Sequence, residues 1–286
     1  MTRLHVEHPG ASALVEDLGR PGLAHLGVAA SGALDRGALA LANRLVGNPD
    51  GAAALELLVG GFRARFEGEA WFAVTGAWGP VMLDGRPVPP YTAARAHDGA
   101  VLELGTAARG IRYLLAVRGG LDVPAVLGSR SRDTLAALGP EPMVAGQALE
   151  IGAEPAASVP VVDQDVAFPP AQGSVTLAVL PGPRADWFTD AAGTALFERP
   201  WRLSEHADRI GARLVGPPLG RRRTGELASE ATVPGSMQVA GDGQPTILLA
   251  DRPVTGGYPV IAIVAPGSLD AVAQLRPGQE VRFRHA

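Results

Sequence analysis

Apolar residues in this chain recur mostly at a spacing of two or in short unbroken runs, the pattern of strands. In FRARFEGEAWFAVTG, which starts at Phe62, alternation gives way to an apolar run. IRYLLAV, from Ile111 to Val117, predicts a strand buried on both faces. VMLDGRPVP places Asp84-Gly85 between two short apolar runs and predicts a hairpin. Three segments share one design, a turn glycine followed by a strand: GAVLEL at Gly99, GQALEI at Gly146 and GQEVRF at Gly278. Helical spacing is rare. Leu34, Ala38, Leu41, Ala42 and Leu45 fit one helix, with Asp35 as an N-cap and Gly47-Asn48-Pro49 as its stop. Trp187–Phe197 and Ser268–Leu275 predict two more, with Ser268 as a cap and Pro277 as a terminator.

Prolines at 155, 160, 169 and 170 mark Glu154–Gln172 as a linker. The expected domains are residues 1–155 and 170–286, roughly 115 to 155 residues each, an ordinary domain size. Both halves read as mainly β, as barrels with a few peripheral helices.

Composition adds exclusions. The net charge of −4 and pI near 5.9 argue against nucleic acid as a partner. No cysteine is present, so there is no disulfide, thiol nucleophile or thiolate metal site. The N-terminus MTRLHVEHPG has no apolar signal core, and the longest uncharged run, Val166 to Pro183, carries four prolines. The expectation is a cytoplasmic protein that does not enter a membrane. All 25 basic residues are arginine. Without lysine there can be no Gly-x-x-x-x-Gly-Lys phosphate loop, Schiff base or biotinyl-lysine on this chain.

The polar residues that could carry chemistry lie in loops. His5 and Glu7 of HVEH share the solvated face of a strand, so no metal site is expected there. In EDLGRPG, Asp17 is expected to accept backbone N–H bonds in a tight turn, while the role of Arg20 stays open. Arg118 ends a buried strand and is a candidate grip for a carboxylate or phosphate. Ser129 and Arg130, in GSRSR, precede what reads as a short helix and suit an anion at its start; the alternative is that Ser131 or Asp133 caps the helix and the arginines face water. Arg209 reads as a substrate or phosphate contact or as the surface partner of Asp208, and Gln244 as a turn residue or a ligand contact. LLADRPVTGGYPVIAIV holds the densest set, between two apolar runs. There Arg252 can grip a carboxylate or phosphate by two parallel hydrogen bonds. Thr255, Gly256 and Gly257 can aim backbone N–H groups at an anion. Asp251 and Tyr258 are candidate proton handlers.

Several motifs, in order, carry a resemblance: DLGRPG, SGALDRGALALANRLVGN, AVRGGLDVP, LGSRSR, LPGP, DRIGARLVG, PGSMQV with GQPTILLADR, and TGGYPV with LRPGQEVRF. Together they resemble the allophanate hydrolase subunit 2 family, also described as a biotin-dependent carboxyltransferase domain and as the C-type subunit of bacterial 5-oxoprolinase. Two departures stand out. Val254 replaces the first of two usual threonines, and Ala207–Leu214 lacks an aromatic and a hydroxyl of the family pattern. The resemblance implies two cyclophilin-like β-barrel domains and a cognate subunit 1 (the B-type subunit), with a lactam-utilisation subunit as a further partner. It also implies a small amide substrate and ATP handled together with those partners. The implied activity is ATP-dependent opening of 5-oxoproline. The alternatives are carboxyl transfer from partner-borne biotin to urea or a similar amide, and a non-enzymatic subunit that antagonises a partner.

Overall fold

The structure is a computed structural model that describes residues 2–161, 169–223 and 225–286. Among the described residues the chain is mainly β, with three α-helices, and it divides into two compact units. One unit takes the chain up to Arg20 together with Asp35–Asp133 and Ala137–Pro170; the other takes Pro21–Leu34, Thr134–Ala136 and Ala171–Ala286. The second unit therefore includes two segments from well before the expected linker. Of that linker, residues 162–168 lie outside the described residues. Among the described residues, no helix is long and apolar enough to cross a membrane.

In the first unit the strands form a six-stranded and a five-stranded sheet that share one apolar core, which includes Leu4, Phe66, Phe72, Leu102 and Leu115. Phe62–Glu67 alternates buried and exposed as its sequence requires, whereas Arg109–Val117 lies central between two partners and is buried through its last five residues. The hairpin at Asp84-Gly85 forms as expected. Both residues take positive φ, 50° and 73°, which matches the twist of the flanking strands. Gly99, Gly146 and Gly278 each turn the chain at φ near +80° to +89° and lead into a strand. On the outer face, Glu7 pairs with Arg63 and Arg65, and His5 with Glu67 at 2.6 Å.

Helix α1, Arg36–Leu45, is capped as expected, with Asp35 Oδ1 accepting from the Ala38 N–H at 2.8 Å. Helix α2, Asp190–Glu198, is shorter than its sequence pattern: Ala185–Trp187 forms a separate 3₁₀ turn and Thr189 caps α2. Helix α3, Pro266–Ala273, starts before Ser268, because Pro266 occupies the first turn, where its missing N–H costs nothing. Ser268 Oγ instead accepts the Ala178 N–H at 3.1 Å.

The second unit closes. Seven strands form a barrel in the order Val175–Pro181, Val260–Val264, Ser236–Val239, Pro245–Leu248, Gly211–Val215, Trp201–Leu203 and Glu280–His285, the last returning parallel to the first. Leu177, Trp201, Met237, Ile247 and Val281 fill it, all with no exposed surface. Closure leaves the barrel no free edge and its interior is filled, so a ligand can meet it only at the connections and on the outer wall.

Candidate functional site

The richest of these connections runs from Leu249 to Pro259. Its base prolongs the antiparallel pair Gly211–Val215 with Pro245–Leu248. The Leu249 N–H bonds to the Ile210 carbonyl at 2.9 Å, and the Asp251 N–H to the Arg209 carbonyl at 3.1 Å. That register sets the Arg209 and Asp251 side chains together. Arg209 donates from Nε to Asp251 Oδ2 at 2.9 Å and from Nη2 to Oδ1 at 3.2 Å. Ser31 Oγ donates to Oδ1 at 2.6 Å, and Thr134 donates to Oδ2 from both N and Oγ1, at 3.0 and 2.7 Å. Arg209 Nη2 also holds the Gly32 carbonyl at 2.6 Å. Ser31 keeps a left-handed backbone, φ 56°, because both ends of this Ser31-Gly32 step are pinned to the pair.

Asp251 is thus fully buried and its carboxylate accepts five bonds. Burial pushes its pKa up. The Arg209 charge and the bonds from Arg209, Ser31 and Thr134 outweigh that effect, so the carboxyl lies below its ordinary value. A saturated, ionised carboxylate has neither a spare lone pair nor a proton to move at neutral pH. The expected proton handler is a positioning residue that gathers Ser31, Thr134 and Arg209 around the base of the loop. The expected surface pairing of Asp208 with Arg209 gives way to the same register. Asp208 Oδ1 accepts the Ile210 and Gly211 N–H groups, while Arg209 turns inward.

Arg252 is only 7% exposed and donates from Nη2 to the Thr232 carbonyl at 3.3 Å. Thr255–Gly256 forms a short strand against Glu230–Ala231, so part of its backbone is committed to a ladder. Neither Gly256 nor Gly257 has positive φ, and the concave run of N–H groups expected there does not form. Glycine at 256 leaves room for a side chain instead: a Cβ there would lie 2.5 Å from Gln238 Nε2 and would push that amide aside. Gln238 alternates with the core residues Met237 and Val239, points out of the barrel, and donates to the Tyr258 carbonyl at 3.4 Å. Tyr258 itself stands 53% exposed.

Beside this loop is a pair that sequence reasoning missed. Arg184 donates from Nε to Glu230 Oε2 at 3.0 Å and from Nη2 to Oε1, a two-pronged contact. The Arg184 N–H bonds to the Val260 carbonyl at 3.1 Å, and Glu230 lies opposite Gly256 in register. The ion pair therefore spans Gly256–Pro259. Its sequence signal is slight, an arginine just after LPGP and a glutamate 46 residues later.

The remaining expected residues lie elsewhere. Arg118, 4% exposed, donates to Glu154 and to the carbonyls of Val46, Pro155 and Ala157, so its guanidinium is spent on holding the segment after Ile151. Ser129 and the Arg130 N–H both bond to Asp17, as do Ser131 and the Gly19 N–H. These bonds outweigh the burial that would raise the Asp17 pKa, and its carboxyl lies below the ordinary value. No helix follows Arg132. Residues 134–137 form a turn, with Ala137 at φ 54°, so no helix start is available for an anion. Arg20, left open by the sequence, is 2% exposed and donates to the Val126 and Ser131 carbonyls. Gln244 ties the entrance of Pro245–Leu248 to the end of the neighbouring strand Gly211–Val215 by bonding both ways with the Gly216 backbone.

Comparison with known proteins agrees along the whole chain. The family model for the carboxyltransferase domain, subdomain A and B, matches residues 26–285. The chain is 37% identical to the C-type subunit of 5-oxoprolinase from Escherichia coli, over 98% of this chain and 90% of that one. It is 34% identical to the Haemophilus influenzae protein of the same name, over 95% and 87%. It is 31% identical to urea amidolyase of Lachancea kluyveri, but spans only 16% of it. The crystal structure of TTHA0988 superposes with a TM-score of 0.89 at 38% identity, over 99% of this chain and 56% of that one. The K. lactis urea amidolyase superposes at 0.91 and 28% identity, with this chain spanning 18% of its length. The chain thus spans about half, or less, of these solved structures. By sequence match over nearly its full length, the chain belongs to the carboxyltransferase domain family, subdomain A and B.

Proposed function

We propose that the chain is the C-type subunit of a 5-oxoprolinase, acting with partner subunits to open a carboxylate-bearing lactam at the expense of ATP. The observation that carries this reading is the 37% identity to the Escherichia coli C-type subunit across 98% of this chain and 90% of that protein. On this reading the substrate meets the outer wall of the barrel at Asp251–Tyr258. Asp251 and Arg209 hold the loop on a fixed base, which a binding site needs. Arg252, Thr255 and Tyr258 are the groups on this loop proposed to meet the substrate. ATP is proposed to bind with the partner subunits, because a chain without lysine cannot build the lysine-dependent phosphate loop.

The test is reconstitution with the cognate subunits, with ADP and glutamate measured together. One glutamate per ADP formed from 5-oxoproline supports the proposal. Bicarbonate-dependent ADP formation with urea, and none with 5-oxoproline, replaces it with carboxyl transfer. The carboxyl carrier would then sit on a partner, since no lysine exists here to bear biotin.

A further inference from the structure

We infer that Arg184 is the carboxylate-recognition residue of this site and that Glu230 is an internal surrogate, displaced when a ligand carboxylate takes its place. The inference rests on the reading that the site takes a carboxylate-bearing lactam. Three observations support it. The first is geometry. Glu230 already occupies both prongs of the Arg184 guanidinium, as a bound carboxylate would. An incoming carboxylate can therefore replace it without any change in the arginine.

The second is location. The pair is anchored to Val260 on one side and opposite Gly256 on the other, so it crosses the two glycines and lies near exposed Tyr258. Gly257 is exposed and adds no side chain, so a small ligand can approach the backbone there, while the space at Gly256 is taken by the Gln238 amide.

The third is exchangeability. The two side chains are 36% and 33% exposed, and an exposed pair of this kind holds an equilibrium by about fivefold at most. By contrast, the Arg209 fork is closed around a carboxylate with no exposed surface, which also holds Ser31 and Thr134. Arg118 is surrounded by backbone carbonyls. Neither of those arginines can release its acceptors to a ligand without unfolding its surroundings. Arg184 can.

The experiment is a nitrogen-proton NMR titration of the full chain, following the Arg184 Nε–H signal and the Gly257 and Tyr258 amides. The probes are L-5-oxoproline and 2-pyrrolidinone, the same lactam without its carboxylate. The expected result is a saturable shift with 5-oxoproline alone. E230Q should lower the half-saturation point by about two- to fivefold, and R184Q should abolish the response of both amides with the spectrum otherwise retained. No saturable Arg184 shift in wild type and E230Q, or an equal response to 2-pyrrolidinone, would overturn the assignment. Weaker binding in E230Q would overturn the surrogate role. These outcomes are separable from the proposed reaction. Turnover of 5-oxoproline with a silent Arg184 rejects only the latch, and a responsive Arg184 in a complex that releases no glutamate rejects only the reaction.

Discussion

Replacing Asp251 with Asn keeps the shape of the side chain and removes its charge. The fork from Arg209 then meets an amide, and a guanidinium that is 6% exposed is left without its counter-ion. Removing one partner of a buried ion pair costs about 3–5 kcal/mol. With a Tm change of about 2–4 °C per kcal/mol for a domain of this size, D251N should melt roughly 6–20 °C below wild type. The double variant R209M/D251L removes both charges and should recover about 2 kcal/mol or more relative to the sum of the single changes. The pH dependence has a definite sign. The folded-state pKa of Asp251 lies below its ordinary value, so its stabilisation is complete at neutral pH and is lost as pH falls below about 4. The gap in Tm between wild type and D251N should therefore hold between pH 5 and 8 and narrow below pH 4. Scanning calorimetry across that range measures it. A D251N protein that melts within about 1 °C of wild type but has lost activity in the complex would refute the positioning role and restore a proton-handling one.

Two glycines should separate sharply by thermal melting. G182A drives a Cβ into the Val260 carbonyl and within 2.6–2.7 Å of Ile261 C and Ala262 N, backbone that cannot yield, and should cost about 3 kcal/mol or more. G256A meets only the end of the Gln238 amide, which can swing aside, and should cost about 1 kcal/mol or less. R118M leaves the carbonyls of Val46, Pro155 and Ala157 unbound, and limited proteolysis should then cut near residues 154–160 faster than in wild type. Intact mass of the purified chain should show no biotinyl adduct, and such an adduct would contradict the absence of lysine.

Features set by neighbours in the chain were legible from sequence. The Asp35 cap, the Asp84-Gly85 turn and the strand-leading glycines at 99, 146 and 278 each depend on a few adjacent residues, and each forms. Features set by long-range register were not. Arg209 looked paired with Asp208, its neighbour, yet binds Asp251, 42 positions away, because the barrel ladder carries the two side chains to the same place. Ser31 and Thr134 gave no signal, since their partner is 220 and 117 positions distant. Ser131 looked like a helix cap, but the Asp17 carboxylate takes its hydroxyl instead. The loop Asp251–Tyr258 was found from its density of polar residues between apolar runs. The division of labour within it, with a buried ion pair below and Tyr258 outside, follows only from the fold.

The central claim is that this chain supplies an indispensable part of a 5-oxoprolinase. Its most direct test is omission and add-back: glutamate release from 5-oxoproline with ATP, measured for the partner subunits alone, this chain alone, and all together. The account predicts steady release only in the complete mixture, saturating as this chain reaches equivalence with its partners. Steady glutamate release by this chain alone, or undiminished release without it, would contradict the account.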